Sequence, residues 1–344
     1  MTQTARVLAV CTAGGSGDLL AATPAISALA RHFGCKAYVL AAPASASLLE
    51  GHPAVEAILV DDGAPIDEMV QRVKRYDFTH AVVFWSTARV AAIVQRAKIP
   101  VRVGQSSRLY SFRYTVRVPV RTERGDRTSA WSDVQMDYAR ALGASPQPDD
   151  YRIVIELDER DRAEAGELIA SVAPRGRFIV LHATRGMPLD SVRWPVESFA
   201  RIGDALADAF DAPVLLTGTP SEKPVIERIA AAMRNPNAVI AGQTSLRSLA
   251  ALLARADVVV ALDSGPMHIA AAVGAPTVGI FALRTDLPMR WRPLGERVVV
   301  LGPTFPCPVW CRKETCKTFD CYRALDPVRV VESARAAMRM TSAA

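Results

Sequence analysis

With 344 residues, half of them hydrophobic, the chain can support two domains and a large core without disulfide staples. No apolar run approaches the ~20 residues that span a bilayer, and the first ten residues lack the pattern of a secretory leader. The expectation is a cytoplasmic protein, with peripheral contact at the inner face of the membrane left open. The net charge is +6, and only six of the 41 basic residues are Lys.

In chain order, the apolar run 7–11 reads as a buried strand and 18–33 as a helix. The loop between them is Thr12, Ala13, Gly14, Gly15, Ser16, Gly17, Asp18. It is rich in glycine, yet it fails both common phosphate fingerprints. Leu20 stands where the dinucleotide motif needs its third Gly, and Asp18 stands where a P-loop needs Lys. What remains is a carboxylate at a helix start. It reads either as a cap favoured by the helix dipole or as a general base on a loop free of bulky side chains.

Strands follow at 37–41, 55–60 and 81–85, with helices at 66–74, 89–98 and 132–142. Between them, residues 102–127 hold a run of Arg that includes Arg108 and Arg113, opposed by Glu123 and Asp126. Such a patch fits a nucleic acid, an acidic lipid, an anionic glycan or simply a solvated face. No nucleic-acid motif accompanies it. Residues 143–150 are rich in Pro and Asp and resemble a domain edge.

The alternation then restarts. A charged helix at 159–172 precedes strands at 178–182, 213–217, 238–240, 258–262 and 277–281. Helices are expected at 196–210, 222–233, 246–254 and 327–340. Strands alternating with helices argue for parallel, doubly wound sheets. Three strand ends carry polar residues. Thr184 and Arg185 follow the first strand of this half and suit phosphate oxygens. Gly218 and Glu222 follow the second, where the carboxylate suits either a ribose diol or the first turn of a helix. The fourth runs into Asp263, Ser264, Gly265, Pro266, Met267 and His268. That segment reads as a tight turn and a helix start, with Asp263 and Ser264 in capping positions and free N–H groups suited to phosphate. His268, one turn in, reads either as a satisfied structural residue or, beside that phosphate site, as a hydrogen-bond donor to a leaving diphosphate.

Cys11 and Cys35 lie in apolar contexts. Cys307, Cys311, Cys316 and Cys321 form a C-x3-C-x4-C-x4-C cluster. This spacing lacks the paired C-x2-C of common zinc sites, and it admits a structural metal or reduced structural thiols.

Taken in order, these residues resemble glycosyltransferase family 9, the ADP-heptose:lipopolysaccharide heptosyltransferases of the GT-B fold. The resemblance rests on Gly17-Asp18 with Pro24 and Leu29, on Arg193-Trp194-Pro195 with Phe199, and on Gly218 with Glu222. Its most specific part is Asp263 to Ala272 with Gly274 and Pro276. It implies an α/β architecture of two facing Rossmann-like domains: residues 1–150 for the acceptor and 177–326 for the nucleotide sugar, with 151–176 a linker region and 327–344 a terminal helix. It also implies inverting transfer from ADP-heptose to an anionic core-oligosaccharide glycolipid, with no cofactor or metal required.

Carried over by position, Asp18 is the general base. Thr184, Arg193, Gly265, Met267 and His268 face the diphosphate, Gly218 and Glu222 the adenosine, and Asp263 and Ser264 order the donor turn. Gly17, Arg108 and Arg113 are expected on the acceptor side. Two departures stand out. Family members often carry a His just before the helix at 132–142, where this chain has Ser129, Ala130 and Trp131. The segment 185–192 is also longer and less basic than the diphosphate site suggests. The alternatives are a same-fold transferase with another nucleotide sugar or acceptor, and a non-catalytic nucleotide-sugar-binding module.

Overall fold

The computed structural model describes residues 5–185, 193–311 and 316–341. The segment 186–192, expected beside the diphosphate, lies outside them. The chain forms two compact units, Met1–Glu156 and Leu157–Ala344.

The first unit runs β1 (Val7–Cys11), α1 (Ser16–Phe33), β2 (Ala37–Ala41), β3 (Val55–Val60), α2 (Ile66–Lys74), β4 (His80–Val83), α3 (Ala88–Arg96), β5 (Val101–Gln105), β6 (Val116–Val118) and α4 (Trp131–Arg140). Its six strands pair in the order β3-β2-β1-β4-β5-β6, all parallel. Side chains alternate across the sheet. Val7, Ala9 and Cys11 of β1 pack with Ile26 and Leu29 of α1 and Met136 of α4. Leu8 and Val10 pack on the other face with Met69 and Val73 of α2 and Val90 and Ile93 of α3. Pro24 sits inside α1 and cannot donate to the carbonyl of Leu20. The Thr23 hydroxyl donates to that carbonyl instead, at 2.7 Å, so the helix continues with its acceptor satisfied.

The second unit repeats this wiring. It runs α5 (Glu159–Val172), β7 (Ile179–His182), α6 (Val196–Phe210), β8 (Val214–Leu216), α7 (Lys223–Ala232), β9 (Asn237–Val239), α8 (Leu246–Leu253), β10 (Val258–Leu262), α9 (Gly265–Ala272), β11 (Thr277–Ile280), α10 (Pro288–Trp291), β12 (Val298–Leu301), α11 (Asp320–Arg323) and α12 (Pro327–Arg339). The strand order is β12-β11-β10-β7-β8-β9, again parallel. Renumbered from its own first strand, this is the same 3-2-1-4-5-6 order. In such sheets ligands gather at the carboxyl ends of the strands, where the order reverses. Here those points lie between β1 and β4, and between β7 and β10.

The region 151–176 contains α5, which packs on α8 inside the second unit. Arg247 Nε donates to Asp161 at 3.1 Å. The last helix, α12, buries Val330, Ala334 and Ala337 against α6 and the β10–β12 half of the sheet.

The cysteine cluster calls for a correction. Among the described residues no group of three or more His, Cys, Asp or Glu side chains is arranged to hold a metal ion. All six cysteines are free thiols. Burial pushes the Cys321 thiol up to about 12, and its side chain belongs to the apolar core. Cys316 Sγ accepts the Phe319 N–H at 3.3 Å. The metal reading of Cys307, Cys311, Cys316 and Cys321 is therefore without support among the described residues, and Cys307 and Cys316 pack as thiols against the core that holds Cys321.

Candidate active site

In the first unit the turn after β1 presents Asp18 in the opening turn of α1. The backbone N–H of Gly15 donates to Asp18 Oδ2 at 2.9 Å, while Oδ1 is buried without a hydrogen-bond partner. Burial raises the Asp18 pKa, and the Gly15 N–H and the nearby Trp131 indole pull the other way. The loop is shaped around this carboxylate. Gly14 has φ +87°, and a Cβ there would lie 2.5 Å from Asp18 Oδ2, so both the turn and the carboxylate exclude a side chain. Gly17 lies one residue before Asp18 within α1.

The arginines expected on the acceptor side lie elsewhere in this unit. Arg108 is exposed and paired with Glu123 at 2.5 Å. Arg113 donates to Gln95 and covers the Phe112 ring at 5.0 Å. Arg121 is bound to Asp137, and Arg102 donates to the carbonyls of Arg113 and Ile99. Much of the basic run is thus internally neutralised, while Arg117, Arg124 and Arg127 are exposed.

In the second unit three strand ends converge around the switch point. After β10, Ser264 is the N-cap of α9, but its hydroxyl donates back to Leu262 O at 2.8 Å. The side-chain cap expected at Ser264 is therefore not made, because the hydroxyl is used to close the preceding turn. Pro266 has no N–H, so the backbone N–H groups of Gly265, Met267 and His268 define the helix start. The Met267 side chain is fully buried and packs on Gly279, where a Cβ would meet its sulfur at 2.6 Å. Only its backbone can face an anion. Burial lowers His268 to about 4. It is neutral at pH 7, able to donate one hydrogen bond but carrying no charge.

After β7 comes a residue whose importance the sequence reading understated. Arg185 Nη2 donates to Asp263 Oδ2 at 2.6 Å, and its Nη1 donates to Asp286 Oδ1 and Oδ2 at 2.9 and 3.1 Å. Nη1 also reaches the Tyr322 hydroxyl at 3.2 Å. One buried guanidinium thus ties the turn before α9 to the loop before α10. Arg193, expected at the diphosphate, instead donates to the Cys316 carbonyl at 3.1 Å. Its neighbour Trp194 is core: Nε1 donates to Ala183 O at 3.1 Å, and the ring stacks on Phe199.

After β8, Glu222 accepts from the Thr219 N–H and hydroxyl, each at 2.8 Å. Burial raises its pKa, but the Thr219 N–H, His182 and the Thr219 and Thr184 hydroxyls together hold it low. Thr184 is fully buried, with its hydroxyl 3.3 Å from His182 Nε2; His182 Nδ1 lies 2.9 Å from Thr217 Oγ1. Thr184 therefore faces Glu222 and His182 rather than open space. Gly218 keeps the turn narrow, since a Cβ there would sit 3.2 Å from Ile226. His182 and Thr217 close apolar runs, and a polar residue in that place was their signal in the sequence; Asp286, in a mixed segment, is buried without such a signal.

Two parallel doubly wound sheets with this strand order, each carrying polar residues at its reversal point, have the GT-B fold. The chain belongs to glycosyltransferase family 9 (heptosyltransferase), whose model matches residues 66–321. A putative glycosyltransferase of Haemophilus influenzae is 24% identical over 294 residues, covering 81% of this chain and 84% of that protein. Lipopolysaccharide heptosyltransferase 1 of Pseudomonas aeruginosa is 30% identical over 181 residues, 48% of this chain and 49% of that one. The structure of E. coli ADP-heptose lps heptosyltransferase II superposes with a TM-score of 0.78 at 20% identity, covering 97% and 98% of the two chains.

Proposed function

We propose that this enzyme transfers a heptose from ADP-heptose to a lipopolysaccharide-core acceptor with inversion at the anomeric carbon. Asp18 takes the proton of the acceptor hydroxyl as its oxygen attacks that carbon. The new glycosidic C–O bond forms while the anomeric C–O bond to the diphosphate breaks, and its electron pair leaves with ADP. The observation that supports the chemistry is the Asp18 carboxylate at the carboxyl end of β1, whose Oδ1 has no hydrogen-bond partner on a loop that excludes side chains. A base needs a lone pair that is not already committed.

On the donor side, the N–H groups that open α9 supply fixed positive dipoles for the departing diphosphate. His268 adds one neutral donor. Arg193 adds charge once it exchanges its backbone carbonyl for a phosphate. Asp263 is held by Arg185 and fixes the turn. Glu222 takes the ribose hydroxyls, with Thr184 and His182 orienting it. No cofactor enters this scheme. Family membership supports the heptose, and the names of the Pseudomonas and E. coli proteins support the core acceptor.

Thermal unfolding with nucleotides tests the donor. ADP at a hundred times its Kd adds about 2.7 kcal/mol of stability, and UDP at the same concentration adds none. A shift with UDP and not with ADP replaces ADP-heptose by a uridine sugar.

The acceptor's lipid end implies peripheral membrane contact from the cytoplasmic side. Among the described residues no helix is long and apolar enough to cross a membrane. The surface that supports contact is the turn 109–113, where Leu109 is fully exposed and Phe112 largely so, flanked by Arg108 and Arg113. Apolar tips among cations suit an anionic interface. The enzyme should float with phosphatidylglycerol vesicles and not with phosphatidylcholine, and Leu109→Asp with Phe112→Asp should abolish flotation. Unaltered flotation of that variant moves the contact elsewhere.

A further inference from the structure

The switch point of the first sheet lies between β1 and β4, and the two strand ends there carry Asp18 and Trp85. Trp85 is 37% exposed, so part of its indole is open to a ligand at this strand end. Trp131, the first residue of α4, backs Trp85: its ring meets Trp85 edge-to-face, with centroids 5.8 Å apart. With the Gln135 amide oriented to satisfy its neighbours, the Trp131 indole N–H donates to Gln135 Oε1 at 3.1 Å, which fixes the ring that Trp85 leans on.

The segment that presents Trp85 is built to stay put. Phe84 N–H donates to Val10 O at 3.1 Å, fastening β4 to β1. The next residue, Ser86, is gripped twice: the Tyr110 hydroxyl donates to its carbonyl at 2.7 Å, and the Tyr114 hydroxyl contacts its Oγ. Tyr114 is buried over Gly104, where a Cβ would lie 2.4 Å from the ring. Thr87 then caps α3 through Val90 N–H at 3.2 Å. An exposed indole on so firmly held a backbone costs little entropy when a ligand covers it.

We propose that Trp85 and Trp131 form an acceptor-sugar subsite, in which the apolar C–H face of a pyranose ring packs on the exposed Trp85 indole and its hydroxyl points toward the Asp18 carboxylate. The ligand class is a hexopyranose-type ring of an oligosaccharide. Trp85 is the binding platform and Trp131 the positioning residue, setting the angle of Trp85 through their edge-to-face contact. This subsite rests on the transferase reading above and adds to it the place where the acceptor ring sits.

The full chain is assayed with ADP-heptose and a heptose-deficient lipopolysaccharide core. Trp85→Ala should raise the KM for the core about tenfold, equivalent to about 1.4 kcal/mol, with kcat and the KM for ADP-heptose little changed. Trp85→Tyr should recover most of that loss. Trp131→Ala removes the ring that Trp85 leans on, so it should raise the KM for the core as well while leaving the KM for ADP-heptose in place. A merely structural role would move both KM values together. An unchanged core KM in Trp85→Ala overturns the proposal, as does an unchanged core KM in a folded Trp131→Ala.

A binding measurement separates this from the donor assignment. Indole N–H resonances of Trp85 and Trp131, assigned through the two variants, should shift when the isolated core oligosaccharide is added without nucleotide. Shifts without any heptose transfer leave the subsite standing and remove ADP-heptose as donor. Transfer without shifts removes the subsite.

Discussion

Asp18→Asn should lower kcat by about 10²–10⁴ without lowering the melting temperature. The two halves of that result have one cause. Burial raises the Asp18 pKa, so the folded protein binds this proton more readily than the unfolded chain does. The stability contributed is therefore complete below the unfolded carboxyl value and is lost as pH rises through the raised folded value. At pH 7 the ionised side chain is a burden on the fold, and a neutral amide relieves it. The variant should be as stable as the parent or more so, while the acceptor hydroxyl loses its base. Stability set aside for function in this way is common at active sites. In the parent, the acid limb of kcat/KM should lie above the value of a solvated carboxylate, because only the ionised form accepts the proton. Full activity in Asp18→Asn, or an acid limb at the ordinary carboxyl value, would refute the assignment.

The sequence made the donor side more legible than the acceptor side, for physical reasons. The apolar runs that end at Cys11, His182 and Leu262 are central parallel strands, buried on both faces, and such strands leave an uninterrupted signal. The residues after them belong to the site almost by construction, since ligands collect where these strands end. The strands β5 and β6 were hidden. Their sequences carry Arg102 and Arg117 inside Val-rich segments, so charge outweighs pattern, and the region reads as a basic patch. Much of that charge is spent on Glu123, Asp137 and backbone carbonyls, contacts that only the fold creates. β12, a plain Val-rich run, is an edge strand whose neighbours in sequence give no helix-strand rhythm.

The roles of individual side chains were hardest to read. Ser264 sits at the N-cap but spends its hydroxyl on Leu262, and Thr184 turns inward toward Glu222. Trp85 and Trp131 lie 46 positions apart in the sequence, so no local pattern links them; their contact depends on β4 and α4 meeting above β1.

Arg185→Ala should be the most destabilising single change at the donor site, costing about 3–5 kcal/mol in urea unfolding. The guanidinium and Asp286 are both nearly buried, with side chains 7% and 4% exposed, and Asp263 is 16% exposed. Removing the cation leaves two sequestered carboxylates facing each other's field. Arg185→Lys should recover only part of the loss, because a single ammonium cannot span Asp263, Asp286 and Tyr322 as the planar fork does. ADP affinity should fall as well, since Asp263 loses the contact that sets the turn before α9. Raising the salt concentration should change the parent's stability little, because screening acts weakly on buried pairs. The expected signature is thus a large, salt-independent loss together with weaker ADP binding. A loss under about 1 kcal/mol would make Arg185 a surface-type pair. A large loss with unaltered ADP affinity would confine Arg185 to the fold and separate Asp263 from the nucleotide.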